Sequence, residues 1–187
     1  MDLPDLHARA VANTQAIVDA MTVEQMHNAT PCADWDVTEL LHHVVYGNLW
    51  VAPLVAGETI EQVGDRFEGD ILAGDFSEAY RLSGHRAVTA FEVPGAMDAP
   101  CAVSYGPVPG SIYCGHRFTD VLVHGWDLAA ATGGDTELPA ELVEACLEIT
   151  LPHAAILGVT GAFGEGMDPG EEASPQTRLL ALLGRRG

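Results

Sequence analysis

Three side chains in two separate stretches have the types and spacing to hold a divalent metal: His43 in one, Asp120 and His124 in the other. Asp120 and His124 are four residues apart, in Arg117-Phe118-Thr119-Asp120-Val121-Leu122-Val123-His124-Gly125-Trp126-Asp127. On a helix that spacing puts both on one face, one turn apart. His43, in Asp36-Val37-Thr38-Glu39-Leu40-Leu41-His42-His43, offers a third donor from a facing helix. Two imidazoles and one carboxylate, with coordination positions left open, belong to a reactive site rather than a closed structural one. Zinc, nickel and iron(II) all suit that donor set.

The helical rows select between the neighbouring histidines. His43 shares its row with Leu40, Gly47, Trp50 and Leu54, whereas His42 shares a more polar row with Glu39, Tyr46 and Leu49. The inward-facing candidate is therefore His43, with Gly47 leaving space one turn on. Asp127 lies three residues after His124 and has two readings. It accepts a hydrogen bond from the His124 imidazole and fixes its tautomer, or it is a solvated acid near the helix end. The whole cluster has a plainer alternative as well. His43 and His124 are then ordinary buried histidines, and Arg117, one turn before Asp120, neutralises that carboxylate as an ion pair. A carboxylate on an inward row needs one cation or the other, or several donors.

Stepping along the chain, helical spacing recurs in four long segments. The first runs from about Leu6 to Met26, through Ala10, Ile17 and Met21. The second begins after Asp36, which with Glu39 makes a capping-box pattern, and runs to about Ala56 before Gly57. Residues 57–75 are rich in glycine and acid and read as a loop. Ser77 is the cap expected for a third helix, which Val93-Pro94-Gly95 ends. Residues 96–110 carry three prolines and read as an irregular or hairpin-like connection, with a short strand at Cys101–Tyr105. The fourth helix covers about Ile112 to Thr132, stopped by Gly133-Gly134. Pro139 starts a fifth that ends near His153; a glycine-rich stretch follows, then a short helix from Ser174-Pro175. The pattern is all-α, with enough long helices for a bundle and one long crossover connection between the third and fourth.

Composition bounds what such a bundle does. The chain has 187 residues, expected to form one domain over 1–187, and is 48% hydrophobic. Its net charge is −19, and all 8 basic residues are arginine. So acidic a surface argues against nucleic acid and against anionic membranes as partners. There is no apolar run near the ~18 residues of a membrane span. The start, Met1-Asp2-Leu3-Pro4-Asp5, lacks the basic and apolar regions of a signal peptide, so a cytoplasmic location is expected. Cys32, Cys101, Cys114 and Cys146 form no C-x-x-C pair and are expected to be free thiols.

Two blocks resemble the DinB-like superfamily and, within it, the mycothiol-dependent maleylpyruvate isomerase N-terminal domain family. The first is Thr30-Pro31-Cys32-Ala33-Asp34-Trp35-Asp36-Val37 with Leu40-Leu41-His42-His43-Val44-Val45; the second runs from Thr119 to Ala129 and ends in Ala131-Thr132-Gly133. The tail Ala173-Ser174-Pro175-Gln176 followed by Arg178-Leu179-Leu180-Ala181 is similar to an uncharacterised single-domain, metal-binding subfamily. The resemblance implies a DinB-like four-helix bundle with short extra helices. It also implies one divalent metal held by His43, Asp120 and His124. The family's isomerase has glutamate where this chain, like the single-domain subfamily, has Asp120. That isomerase also carries a C-terminal domain for which 187 residues leave no room, so isomerisation of maleylpyruvate itself is not expected.

Characterised relatives use small thiols such as mycothiol, which the metal presents as thiolates. The reading that follows is a thiol-dependent transferase or isomerase acting on a small-molecule substrate. A non-catalytic metal- or thiol-binding stress-response module stands beside it, and a metallohydrolase with a metal-activated water is weaker. Homodimerisation stays open. Arg81 and Arg86 are candidates to clamp an anionic substrate, with ordinary surface arginines as the alternative. Cys32 reads either as a mixed-disulfide partner or as a small buried hydrophobe.

Overall fold

The structure, a computed structural model, describes residues 2–33, 35–153, 164 and 166–186. Its helices are α1 (Leu3–Ala20), α2 (Val37–Val55), α3 (Ile60–Val63), α4 (Phe76–Phe91), α5 (Gly110–Thr132), α6 (Ala140–Thr150) and α7 (Pro175–Leu182). One hairpin, β1 (Pro100–Val103) with β2 (Gly106–Pro109), pairs antiparallel with Cys101 opposite Val108. The fold is all-α and DinB-like, the hairpin being a small insert in the α4–α5 crossover.

The long helices α1, α2, α4 and α5 form the bundle. Both α1 and α2 pack on α4 and on α5, so α1 faces α2 across one diagonal and α4 faces α5 across the other. Their shared core includes Leu6, Ala10, Leu40, Leu41, Val44, Tyr80, Phe118, Val121 and Leu122. A second apolar cluster, with Val51, Leu54, Phe91, Cys101 and Tyr113, fills the end beneath the hairpin. α6 lies against α5 and α1, and α7 packs on α6. Among the described residues no helix is long and apolar enough to cross a membrane.

Local signals account for most boundaries. Asp36 and Glu39 close a reciprocal capping box at the start of α2: Asp36 Oδ1 accepts from the Glu39 amide and Glu39 Oε2 from the Asp36 amide, each at 2.9 Å. Gly133 ends α5 at φ 71°, a left-handed conformation that favours glycine. Ser174 caps α7 by accepting from the Thr177 amide.

Several boundaries differ from expectation. The first helix starts earlier, with Pro4 in its first turn, and stops at Ala20. Met21 turns extended, and Thr22 and Gln25 cap each other around a separate 3₁₀ turn, Val23–Gln25. Asp75, not Ser77, caps α4 by accepting from the Glu78 amide, which frees the Ser77 hydroxyl to reach Asp19 on α1. The fifth expected helix ends at Thr150, followed by a 3₁₀ turn over Leu151–His153, and a short helix, α3, interrupts the 57–75 loop. Most of the glycine-rich stretch expected after His153 lies outside the described residues.

Candidate functional site

The α2 capping box sets where the helix begins, and six residues on it presents His43 toward α5. On α5, Asp120 and His124 lie one turn apart, as their spacing demands. His43 Nε2 lies 3.2 Å and His124 Nε2 3.5 Å from the same oxygen, Asp120 Oδ1. All three donor atoms fall within 4.8 Å of one another. The two imidazoles meet edge to face, with centroids 5.1 Å apart and planes at 82°. The cluster sits at a rim: the His124 side chain is 3% exposed and that of Asp120 19%, whereas that of His43 is 37% exposed. A small molecule therefore has access from the His43 side.

The second oxygen of Asp120 is already engaged. Arg117 Nη1 donates to Oδ2 at 2.9 Å, while Arg117 Nη2 donates to the Val44 carbonyl at 3.3 Å and to Asn48 Oδ1 at 3.0 Å. The ion pair that sequence alone offered as an alternative is thus present together with the histidine contacts, each on its own oxygen. Gly47 makes the arrangement possible. A Cβ there would stand 2.2 Å from Arg117 Nη1, so the space expected beside His43 is filled by the guanidinium. Burial alone would raise the pKa of Asp120; Arg117 and the histidines outweigh it and hold the carboxyl well below the usual range.

His124 is gripped from its far side. Its Nδ1–H donates to Asp127 Oδ2 at 2.9 Å, and Asp127 is wholly buried, which excludes the solvated-acid reading. With Nδ1 so occupied, Nε2 is the nitrogen turned toward Asp120 and His43. Asp127 is itself clamped by Arg185, whose Nε donates to Oδ1 at 3.2 Å and Nη2 to Oδ2 at 2.9 Å. The Cys32 thiol donates to Asp127 Oδ2 at 3.2 Å, and Arg185 Nη2 lies 3.2 Å from the sulfur. Burial would push Asp127 up, but His124 and Arg185 hold it below the ordinary carboxylate value.

Arg185 and Asn48 did not emerge from sequence reasoning, and neither carried a spacing signal. Trp35, quoted above only as part of a motif, lies with its ring tilted against both imidazoles, its centroid 4.9 Å from that of His43 and 6.2 Å from that of His124. Other candidates lie elsewhere. His42 Nε2 lies 3.2 Å from the Gly69 carbonyl in the 57–75 segment, and the ring stacks on Tyr46. Arg81 is exposed and paired with Glu78 on its own helix, and Arg86 is also exposed. All four cysteines are free, and only Cys32 is not fully buried.

Residues 7–129 match the model of the mycothiol maleylpyruvate isomerase N-terminal domain, a span that contains His43, Asp120, His124 and Asp127 but not Arg185. An uncharacterized protein of Mycobacterium tuberculosis, found in two strains, is 33% identical over 192 aligned residues, covering 99% of this chain and 98% of the relative. No solved structure matches the chain.

Proposed function

Because the chain belongs to the mycothiol maleylpyruvate isomerase N-terminal domain family, we propose that it binds one divalent metal through His43, Asp120 and His124. We further propose that it uses the centre to engage a small thiol, in a transfer or isomerisation on a small-molecule substrate. The observation that carries this reading is the division of labour on Asp120 and His124. Each has one polar atom tied back into the protein, Oδ2 to Arg117 and Nδ1 to Asp127, and each turns its remaining atom toward His43.

Such a donor set fits zinc, nickel or iron(II), since two neutral imidazoles and a carboxylate supply three donors on a partly open rim. A metal held there supplies Lewis acidity, lowering the pKa of a coordinated thiol. The protein's own groups do the rest. Arg117 keeps Asp120 ionised and oriented. Asp127 holds the His124 tautomer. Trp35 lays an aromatic ring beside both imidazoles. The 37% exposure of the His43 side chain leaves a route of entry for the thiol.

Elemental analysis of the purified protein tests the metal half. One metal per chain is expected in the wild type and in His42→Ala, and none in His43→Ala or His124→Ala; equal content in all four rules the site out. The thiol half is read with cobalt(II) in place of the native ion. Titration with mycothiol is expected to raise a sulfur–cobalt charge-transfer band in wild type and not in His124→Ala. Absence of that band at millimolar thiol leaves a binding module or a metallohydrolase as the better reading.

A further inference from the structure

The matched family segment ends at residue 129, yet the polar cluster continues into the turn after α7. Arg185 is 5% exposed and sits 58 residues beyond Asp127 in the chain. Its guanidinium grips both oxygens of that wholly buried carboxylate, a planar fork on a planar acceptor. Its third nitrogen is fixed as well, Nη1 donating to the Leu183 carbonyl at 2.7 Å just past the end of α7. Arg185 is therefore anchored to its own backbone on one edge and presents the other edge to Asp127. Asp127 in turn holds His124 Nδ1 at 2.9 Å. A relay of three side chains joins the turn after α7 to the nitrogen opposite the proposed metal face.

We propose that Arg185 is a positioning residue for His124: by locking the plane of the Asp127 carboxylate it fixes the orientation of the imidazole, and so sets how tightly the centre on α2 and α5 holds its metal. Charge compensation alone would need only a cation near Asp127, which lysine also provides. Positioning needs the two-pronged grip, which lysine cannot reproduce. Outer partners of a ligating histidine change metal affinity by roughly tenfold to a hundredfold when altered. The effect on affinity rests on the metal reading above; the effect on the imidazole does not.

Both effects are measurable on the full chain. Zinc affinity by competition with a chromogenic chelator is expected to fall about tenfold or more in Arg185→Lys, with the helical circular dichroism unchanged. Arg185→Met removes the countercharge of a buried carboxylate, so it is paired with Arg185→Met/Asp127→Asn, which also removes the negative charge; both are expected to bind zinc more weakly still. Proton NMR of the chelated, metal-free protein gives the second readout. A His124 Nδ1–H signal protected from solvent is expected in wild type and is expected to be lost in Arg185→Lys, where its acceptor Asp127 is intact. Wild-type zinc affinity in Arg185→Lys overturns the proposal, because charge alone then suffices. An unchanged His124 signal in Arg185→Lys overturns it as well. Failure of the wild type to bind zinc at all sinks the metal reading, while the NMR comparison still decides whether Arg185 positions His124.

Discussion

Arg117 takes one oxygen of Asp120 and thereby assigns the other to the histidines. The 2.9 Å contact to Oδ2 leaves Oδ1 as the only carboxylate atom facing His43. Arg117 in turn is held by Val44 and Asn48 on α2, the helix that carries His43. One buried guanidinium therefore ties the carboxylate on α5 to the backbone beneath the first histidine.

Gly47→Ala tests this bracing without altering any donor atom. The new methyl would overlap Arg117 Nη1, and the guanidinium has three hydrogen bonds to lose if it moves. The expected cost is about 1–3 kcal/mol of stability, together with weaker metal binding. Urea unfolding and zinc titration read the two effects. Wild-type values in both would show that Arg117 has room to move.

Metal affinity should rise with pH. Burial would lower the pKa of His124, but Asp120, and the hydrogen bonds of Asp127 and Cys32, hold it well above the ordinary histidine value. A metal at Nε2 must displace the proton that this raised pKa favours. One proton released per metal bound gives roughly a tenfold gain in affinity per pH unit below that raised pKa. A zinc affinity that is flat between about pH 6 and 8 would contradict this protonation state.

His7 supplies an independent pH dependence of stability. It is wholly buried in α1, its ring nitrogens have no hydrogen-bond partner among the described residues, and it meets the Phe91 ring edge to face with centroids 5.1 Å apart. Burial, aided by the Arg117 charge, lowers its pKa from 6.5 to about 3. The unfolded chain therefore takes up this proton first as the solution is acidified. The stability His7 allows is fully present above about pH 6.5 and is lost as pH falls toward 3, at up to ~1.4 kcal/mol per pH unit. His7→Leu should flatten that part of the profile. Parallel urea-midpoint curves for the two proteins at about pH 7 and pH 5 would argue against a neutral buried His7.

Cysteine accessibility should divide one against three. Cys101, Cys114 and Cys146 are fully buried, and burial pushes Cys114 and Cys146 up to about 12. Cys32 is only partly covered, in the turn before α2. In the native protein a maleimide should label Cys32 alone, whereas urea-unfolded chain should take four labels. Native labelling at Cys114 or Cys146 would show that the bundle opens more readily than its packing indicates.

The contrast between Asp36 and Arg185 shows what could be read in advance. Asp36 acts on residues within one turn, so the capping box and the start of α2 were legible from four letters. The i,i+4 pair on α5 and the glycine stop at Gly133 are likewise local. The choice of His43 over His42 followed from the helical rows, and the two side chains do turn to different surroundings. Arg185 acts across 58 residues, and no period or spacing links it to Asp127. Asn48 and Trp35 were hidden for the same reason, since their roles depend on how α2 and the preceding turn meet α5. Asp75 rather than Ser77 caps α4, and the serine hydroxyl goes instead to a tertiary partner, Asp19, that no local spacing announces.

The diagonal placement of α1 against α2 and of α4 against α5 bears on how the chain reaches this state. Successive long helices α1 and α2 do not share a face, and neither do α4 and α5; α5 instead packs on α1 and α2, far earlier in the chain. His43 and Asp120 meet across 77 residues. A bundle chained by short hairpins closes its contacts locally and folds fast, whereas this one must close long loops first. Every contact of Asp120 and His124 with another helix waits on the docking of α5. Until that step Asp120 and Asp127 lack His43 and Arg185, so the polar centre cannot form before the bundle closes.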